Sequence, residues 1–250
     1  MYTNETILII GLLILSIASG MLGLGVAFAA VPFLGLFMTD LVHEVQPLSL
    51  FLNGITAMFA LFGFARSGLV EWRPAILLAI VTTVFAPVGS WLAQQIDARW
   101  LWIFYFAAVA FLAWRMFMPD KSAGGTRSVE PNLVLALLLA APISVLAGML
   151  GVGPGFLLLP TLILLHYEPK HAAAINALAV TPPSFSALIP HMTTATINWT
   201  LGAILVVVGA AGSFFGARLT SLYVPGQRLK QAFGVLIVVM TLYKLFQILG

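Results

Sequence analysis

Two glycine clusters stand in otherwise uncharged, apolar sequence, and they are the residues whose spacing suggests chemistry. Residues 16–32 read S-I-A-S-G-M-L-G-L-G-V-A-F-A-A-V-P, and residues 144–160 read S-V-L-A-G-M-L-G-V-G-P-G-F-L-L-L-P. At a constant offset of 128, eight of seventeen positions agree: Ser16/Ser144, Gly20/Gly148, Met21/Met149, Leu22/Leu150, Gly23/Gly151, Gly25/Gly153, Phe28/Phe156 and Pro32/Pro160. Each glycine inside a helix costs about 1 kcal/mol relative to alanine. Gly20, Gly23 and Gly25, and then Gly148, Gly151, Gly153 and Gly155 with Pro154 among them, therefore predict a break. In hydrocarbon the freed N–H and C=O groups must be buried in protein or line a cavity. A half-helix starting after the break directs unpaired N–H groups and its positive dipole end into that cavity, which is the chemistry of an anion site. Close helix packing through small residues is the alternative. Repetition in corresponding positions of two halves favours the site, because paired glycine- or proline-interrupted segments point to the binding site of a secondary transporter.

Asn53 and Asn176 come next. Each lies in the apolar segment after a glycine cluster, where a buried amide must find hydrogen-bond partners. Their NH2 groups are candidates to donate to a sulfonate or carboxylate oxygen, with interhelical hydrogen bonding as the alternative. Thr56 and Thr181 lie farther along the same segments. All eight acidic residues, Glu5, Asp40, Glu44, Glu71, Asp97, Asp120, Glu130 and Glu168, fall at or beyond segment ends. Cation pathways and proton relays place Asp or Glu within spans, so the expected substrate is anionic or neutral. The same absence counts against an intramembrane protease and against a metal centre. His191 has no counterpart in the first half and offers a possible proton-coupling group. Arg66, Arg115 and Lys244 are expected to snorkel to the headgroups.

These residues need elements to position them. The chain is 61% hydrophobic and 8% charged, with a mean hydropathy of +1.08, against roughly 25% charged residues in a soluble domain. Uncharged runs beyond 18 residues recur, so the fold class is an all-α integral membrane protein, multi-pass in the cell membrane. The net charge of +3 comes from basic residues scattered at segment ends, which topology explains without nucleic acid. With no cysteine there are no disulfides or thiolate metal sites. The first segment carries Glu5 and runs too long for a cleavable signal peptide.

Apolar segments run roughly 6–38, 45–65, 74–96, 100–118, 132–166, 171–191, 199–217 and 231–249. The polar stretch Pro119–Pro131 divides a first transmembrane repeat, 1–118, from a second, 132–250. Further matches between the halves are Asn53/Asn176, Trp72/Trp199, Gly89-Ser90/Gly212-Ser213, Arg99/Arg228 and Arg115/Lys244. If 6–38 and 132–166 each enter and leave on one side, nine of eleven Lys and Arg residues share a face, leaving Arg99 and Lys244 opposite. Lys and Arg concentrate on the cytoplasmic side, so this arrangement is expected, with inverted-topology repeats and both termini outside. A straight 33-residue helix would span about 50 Å against a hydrocarbon core of about 30 Å. Broken at the glycines, it is expected to form two arms of roughly 20 Å each, as re-entrant half-helices or short tilted spans.

G-M-L-G-L-G and G-M-L-G-V-G-P-G-F, each followed by a proline, resemble the glycine motif of the sulfite exporter TauE/SafE family. The duplication and the length match that family too, so the resemblance covers the full chain. Val26-Ala27 and Pro154-Gly155 stand where the family motif often continues as glycine. The resemblance implies a bacterial-type membrane transporter handling sulfite, sulfonates and related small organosulfur anions. The expectation is a non-enzymatic carrier working by alternating access, without cofactor or metal. Its partners are a small anionic substrate and the bilayer, with proton or ion coupling open. A passive anion channel or a non-catalytic membrane biogenesis factor are the alternatives.

Overall fold

A computed structural model of the chain describes residues 2–38, 40–93, 130–192, 195–226, 228 and 231. Segment 100–118, segment 231–249 apart from residue 231, and nearly all of 119–131 lie outside them, with Arg99, Arg115 and Lys244. Among the described residues the regular structure is helical throughout. The elements are α1 (Tyr2–Leu22), α2 (Ala27–Leu34), a π-helical turn (Leu41–Val45) leading into α3 (Gln46–Ala65), α4 (Trp72–Ala93), α5 (Leu133–Leu150), α6 (Gly155–Leu164), α7 (Pro169–Leu188) with a 3-10 turn (Ile189–His191), and α8 (Trp199–Tyr223). Among the described residues, six helical stretches are long and apolar enough to cross a membrane: Glu5–Leu22, His43–Ala65, Trp72–Ala93, Leu133–Leu150, Pro169–His191 and Trp199–Tyr223.

Local chemistry sets the ends of these helices. Asn132, Glu168 and Asn198 accept from the backbone N–H of Leu135, His171 and Leu201 and so cap α5, α7 and α8. Pro47 and Pro169 sit in first turns, where a missing N–H costs nothing. The two glycine clusters stop α1 and α5 in the same way. Gly23 and Gly151 take left-handed φ angles of 63° and 67°. The Leu24 N–H reaches the Ser19 carbonyl at 3.1 Å, and the Val152 N–H reaches that of Ala147 at 3.2 Å. This closure satisfies carbonyls that the helix end would leave open. A second left-handed glycine, Gly25 (φ 69°) or Gly153 (φ 72°), then turns the chain into the short helix.

The expected breaks are present, but the arms are unequal rather than about 20 Å each. They contain 21 and 8 residues in the first segment, and 18 and 10 in the second. The long arms of roughly 30 Å are full spans in their own right. They are sustained because each lies along a neighbour, α1 on α8 and α5 on α4. A Cβ at Gly20 would meet the Ser213 backbone, and one at Gly216 the Ile17 carbonyl. Likewise Gly148 faces Ala86, and Gly89 faces Val145. Hydroxyls reinforce the α5–α4 contact, where Ser144 donates to the Thr82 carbonyl at 2.6 Å and Ser90 to that of Gly148 at 3.2 Å, and Ser213 of α8 donates to the Thr56 carbonyl of α3 at 2.7 Å. Each long arm is thus held by the other half of the chain, and α3 and α7 touch in the centre.

The bundle has two chemically distinct ends. At one, Arg218 donates to Ser67 Oγ at 2.8 Å, Lys170 to the Ser221 carbonyl at 3.3 Å, and His171 Nδ1 lies 3.0 Å from Glu71 Oε1. The Asn132 N–H bonds the Leu165 carbonyl at 3.3 Å, so segment 132–166 enters and leaves here. Burial and the Glu71 carboxylate push the Tyr167 phenol above its ordinary pKa at this end. At the opposite end, His43 pairs with Asp40 at 2.8 Å and accepts at its carbonyl from the Thr196 N–H. Glu44 lies there beside Met38, and no described Lys or Arg does. The first hairpin opens toward this acidic end, with Gly11 of α1 against the ring of Phe33 near the end of α2. Trp72 at the basic end of α4 and Trp91 at the other are both more than half exposed. They are about 28 Å apart along the helix, as interfacial belts on a 30 Å core require.

The chain has no cysteine, so single cysteines report membrane sidedness directly. Glu168→Cys should label with an impermeant maleimide from the cytoplasmic face only, and Asp40→Cys from the outside only. Labelling of both from one side would remove this arrangement of ends.

Candidate functional site

The two short helices begin where the halves meet. The Val26 N–H donates to Thr56 Oγ1 at 3.1 Å, and the Ala27 N–H donates to Asn53 Oδ1 at 2.7 Å. A side chain of α3 thereby supplies the cap that α2 lacks from its own sequence, where Val26 occupies the capping position. The other half of the Asn53 amide donates to Ser184 Oγ of α7 at 2.8 Å, and the Ser184 O–H in turn donates to the Val180 carbonyl at 2.6 Å. One side chain therefore joins α2, α3 and α7.

Asn176 does the complementary work on α7. Its Nδ2 donates to the Gly23 carbonyl at 2.8 Å and to that of Gly155 at 3.3 Å, joining the first glycine turn to the start of α6. Two carbonyl oxygens face this atom, so it must be the donor, and the amide orientation follows. Asn176 Oδ1 is buried without a partner. Gly155 also abuts the Leu24 carbonyl, and the rings of Phe28 and Phe156 stack at 5.2 Å with planes 6° apart. Two residues related by the 128-residue offset thus meet face to face beside the two helix starts.

The sequence candidates separate into three positions. Gly25, Gly153, Gly155, Gly23, Asn53 and Asn176 converge on this junction. A Cβ at Gly25 or Gly153 would collide with the Asn53 amide, and one at Gly23 with the Ala173 carbonyl. Gly151 lies farther out, against Gln46. Gly20 and Gly148 are not in the junction; they let α1 and α5 approach α8 and α4. Thr181 bonds the Ala177 carbonyl of its own helix, and His191 lies at the acidic end. Both Asn NH2 groups are engaged by protein, Asn53 by Ser184 and Asn176 by carbonyls, where the sequence suggested donors facing a ligand. Ser184 was not singled out, and its one sequence signal is a serine beside Pro182-Pro183 in an apolar helix.

Asn53, Thr56, Asn176 and Ser184 are fully buried, and no charged side chain is among them. In such surroundings partial charges act with little screening. The starts of α2 and α6 both bring positive dipole ends to the junction. The N–H groups of Val26 and Ala27 already hold side-chain oxygens, so the arrangement has the chemistry to hold an oxyanion that takes the place of those acceptors.

Replacing Gly25 or Gly153 by alanine should destabilise the protein by about 2–5 kcal/mol, combining left-handed strain with overpacking. Gly68→Ala, with a similar φ of 68° and open space around it, should lose only the strain. The asparagines should differ on conversion to aspartate. Asn53→Asp keeps the acceptor for Ala27, and Ser184 can turn its proton to the second oxygen. Asn176→Asp sets a carboxylate against two carbonyls and should be the less stable of the two at neutral pH. Thermal unfolding of detergent-purified variants reads both results.

A family model described as "Sulfite exporter TauE/SafE" matches residues 7–244. A "Probable membrane transporter protein" of Xylella fastidiosa (strain Temecula1 / ATCC 700964) is 26% identical over 239 residues, covering 92% of this chain and 90% of its own. A protein of Methanocaldococcus jannaschii, also described as a probable membrane transporter, is 26% identical over 200 residues, covering 76% of this chain and 73% of its own. No solved structure matches. With one family model spanning nearly all of its length, from the first broken segment to the last apolar one, this chain belongs to the sulfite exporter TauE/SafE family.

Proposed function

We propose that this multi-pass membrane transporter carries a small organosulfur anion, sulfite or a sulfonate, by alternating access between two inverted repeats. The observation that carries this reading is the meeting of two repeat-related helix starts inside the bundle, beside the Phe28–Phe156 stack. An anion with three oxygens suits such a pair of N-termini, because it presents acceptors to both at once. The anion displaces the oxygens of Asn53 and Thr56 from the start of α2 and frees the Asn53 amide to turn toward it, while Asn176 keeps the Gly23 and Gly155 carbonyls paired. Gly23, Gly25, Gly151, Gly153 and Gly155 give the backbone its close approach, while Gly20 and Gly148 set the contacts on which the long arms pivot. The hairpins open toward opposite ends, which supports the inverted relation and so a rocking of one half against the other. Concentration of Arg66, Arg73, Lys170 and Arg218 at one end favours that end as cytoplasmic.

Counterflow separates this reading from a passive channel. Proteoliposomes preloaded with unlabelled sulfite should accumulate labelled sulfite transiently above equilibrium, and a channel gives no such overshoot. Asn53→Asp provides the residue-level test, since its fold should be intact while a negative charge stands at the helix start. Anion affinity by isothermal titration should fall ten- to a hundredfold for Asn53→Ala, about 1.5–3 kcal/mol, and farther for Asn53→Asp. Equal affinities for the two variants would take Asn53 out of the site.

A further inference from the structure

A second site lies away from the junction, on the outer face of the bundle. A groove of about 620 Å³ runs between α3 and α8, lined by Phe59, Phe62, Ala65, Arg66, Ala211 and Phe214. Its walls are aromatic and methyl surfaces, and Phe62 at 49% exposure faces the hydrocarbon side. Its charged end is at Arg66, the residue that terminates α3, whose guanidinium carbon stands 5.4 Å from the centre of the Phe214 ring. One turn farther along α8, Arg218 is held by Ser67 Oγ at 2.8 Å. Arg66 lines the groove, and Arg218, one turn beyond Phe214 on α8, holds the residue that follows Arg66 in the chain. Among the described residues no carboxylate forms an ion pair with either, since the pairs there all involve histidine.

We propose that this groove binds an anionic phospholipid, with its phosphate between Arg66 and Arg218 and an acyl chain along Phe59, Phe62 and Phe214. Guanidinium groups at the membrane surface with no carboxylate partner among the described residues favour phosphate, which they bind with paired N–H donors. The Phe214 ring orients the Arg66 plane, so little freedom is lost when the headgroup arrives. The apolar wall below the charge accounts for an amphiphile rather than a soluble ion. About 10 Å of α3 separates Phe59 from Arg66, which matches roughly the outer two-thirds of one leaflet of a 30 Å core. A net negative headgroup is preferred over a zwitterionic one, because two cations face a single phosphate. Basic pockets between transmembrane helices recognise headgroups in this way.

The test uses the purified full chain in detergent, titrated with phosphatidylglycerol or phosphatidylcholine of identical acyl chains and read by native mass spectrometry and thermal unfolding. Phosphatidylglycerol should be retained and should raise the unfolding midpoint more than phosphatidylcholine. Arg66→Gln and the Arg66→Gln/Arg218→Gln pair should lower its affinity, the pair by at least about tenfold, as loss of a charged hydrogen bond implies. Ala211→Trp should fill the groove and weaken both lipids while leaving the guanidinium groups in place. A preference for phosphatidylglycerol that survives the double variant overturns the proposal, as does unchanged binding in Ala211→Trp. Stabilisation by inorganic phosphate equal to that by phosphatidylglycerol would make the rim a free-anion site instead and would equally overturn it.

Discussion

Backbone that leaves a helix inside hydrocarbon must still satisfy its N–H and C=O groups, and two asparagines carry most of that burden here. An unpaired amide in such surroundings costs several kcal/mol, and each of the two hairpins exposes several at once. Asn53 accepts from the start of α2 and Asn176 donates to the Gly23 and Gly155 carbonyls. Because each residue sits on a continuous helix, the broken segments inherit their positions from α3 and α7. The open backbone and the helices that close it form one unit.

That unit is interlocked across the sequence duplication. The Asn53 amide reaches Ser184 in the second half, and the Asn176 amide reaches Gly23 in the first. The long arms follow the same logic, α1 lying along α8 and α5 along α4, with glycine at the closest approaches. Without a hydrophobic driving force between helices, association within a bilayer depends on such close contacts and on interhelical hydrogen bonds. Serine and threonine hydroxyls that donate to carbonyls across helix crossings supply the second. The halves therefore cannot be separated without exposing polar backbone.

In the proposed transport cycle this balance matters. The N–H groups that would hold an anion are paired with the side-chain oxygens of Asn53 and Thr56. A bound anion exchanges one set of acceptors for another at modest net cost, so empty and loaded states remain close in energy. Carriers need that closeness, because a ligand shifts an equilibrium only by its differential affinity for the two states. The Phe28–Phe156 stack lies beside the junction and joins the two halves there by aromatic packing.

Several of these features were legible in the residues. Composition alone requires a helical membrane protein, because so few charges and such long apolar runs leave no other fold able to satisfy the backbone. The duplicated glycines mark where the helices break, because left-handed φ angles at Gly23, Gly25, Gly151 and Gly153 are open to few other residues. Asn53 and Asn176 stand out since an amide within an apolar run must have a partner. What the sequence does not contain is the identity of that partner. Equal arms were expected from segment length, whereas the long arms run to 21 and 18 residues because α8 and α4 support them along their length. Ser184 could not be foreseen, since its role depends on a residue 131 positions away. Gly20 and Gly148 look like their motif neighbours in sequence but face another helix. Which face of a helix meets which neighbour is set by packing between distant segments, and periodicity along one segment carries no record of it.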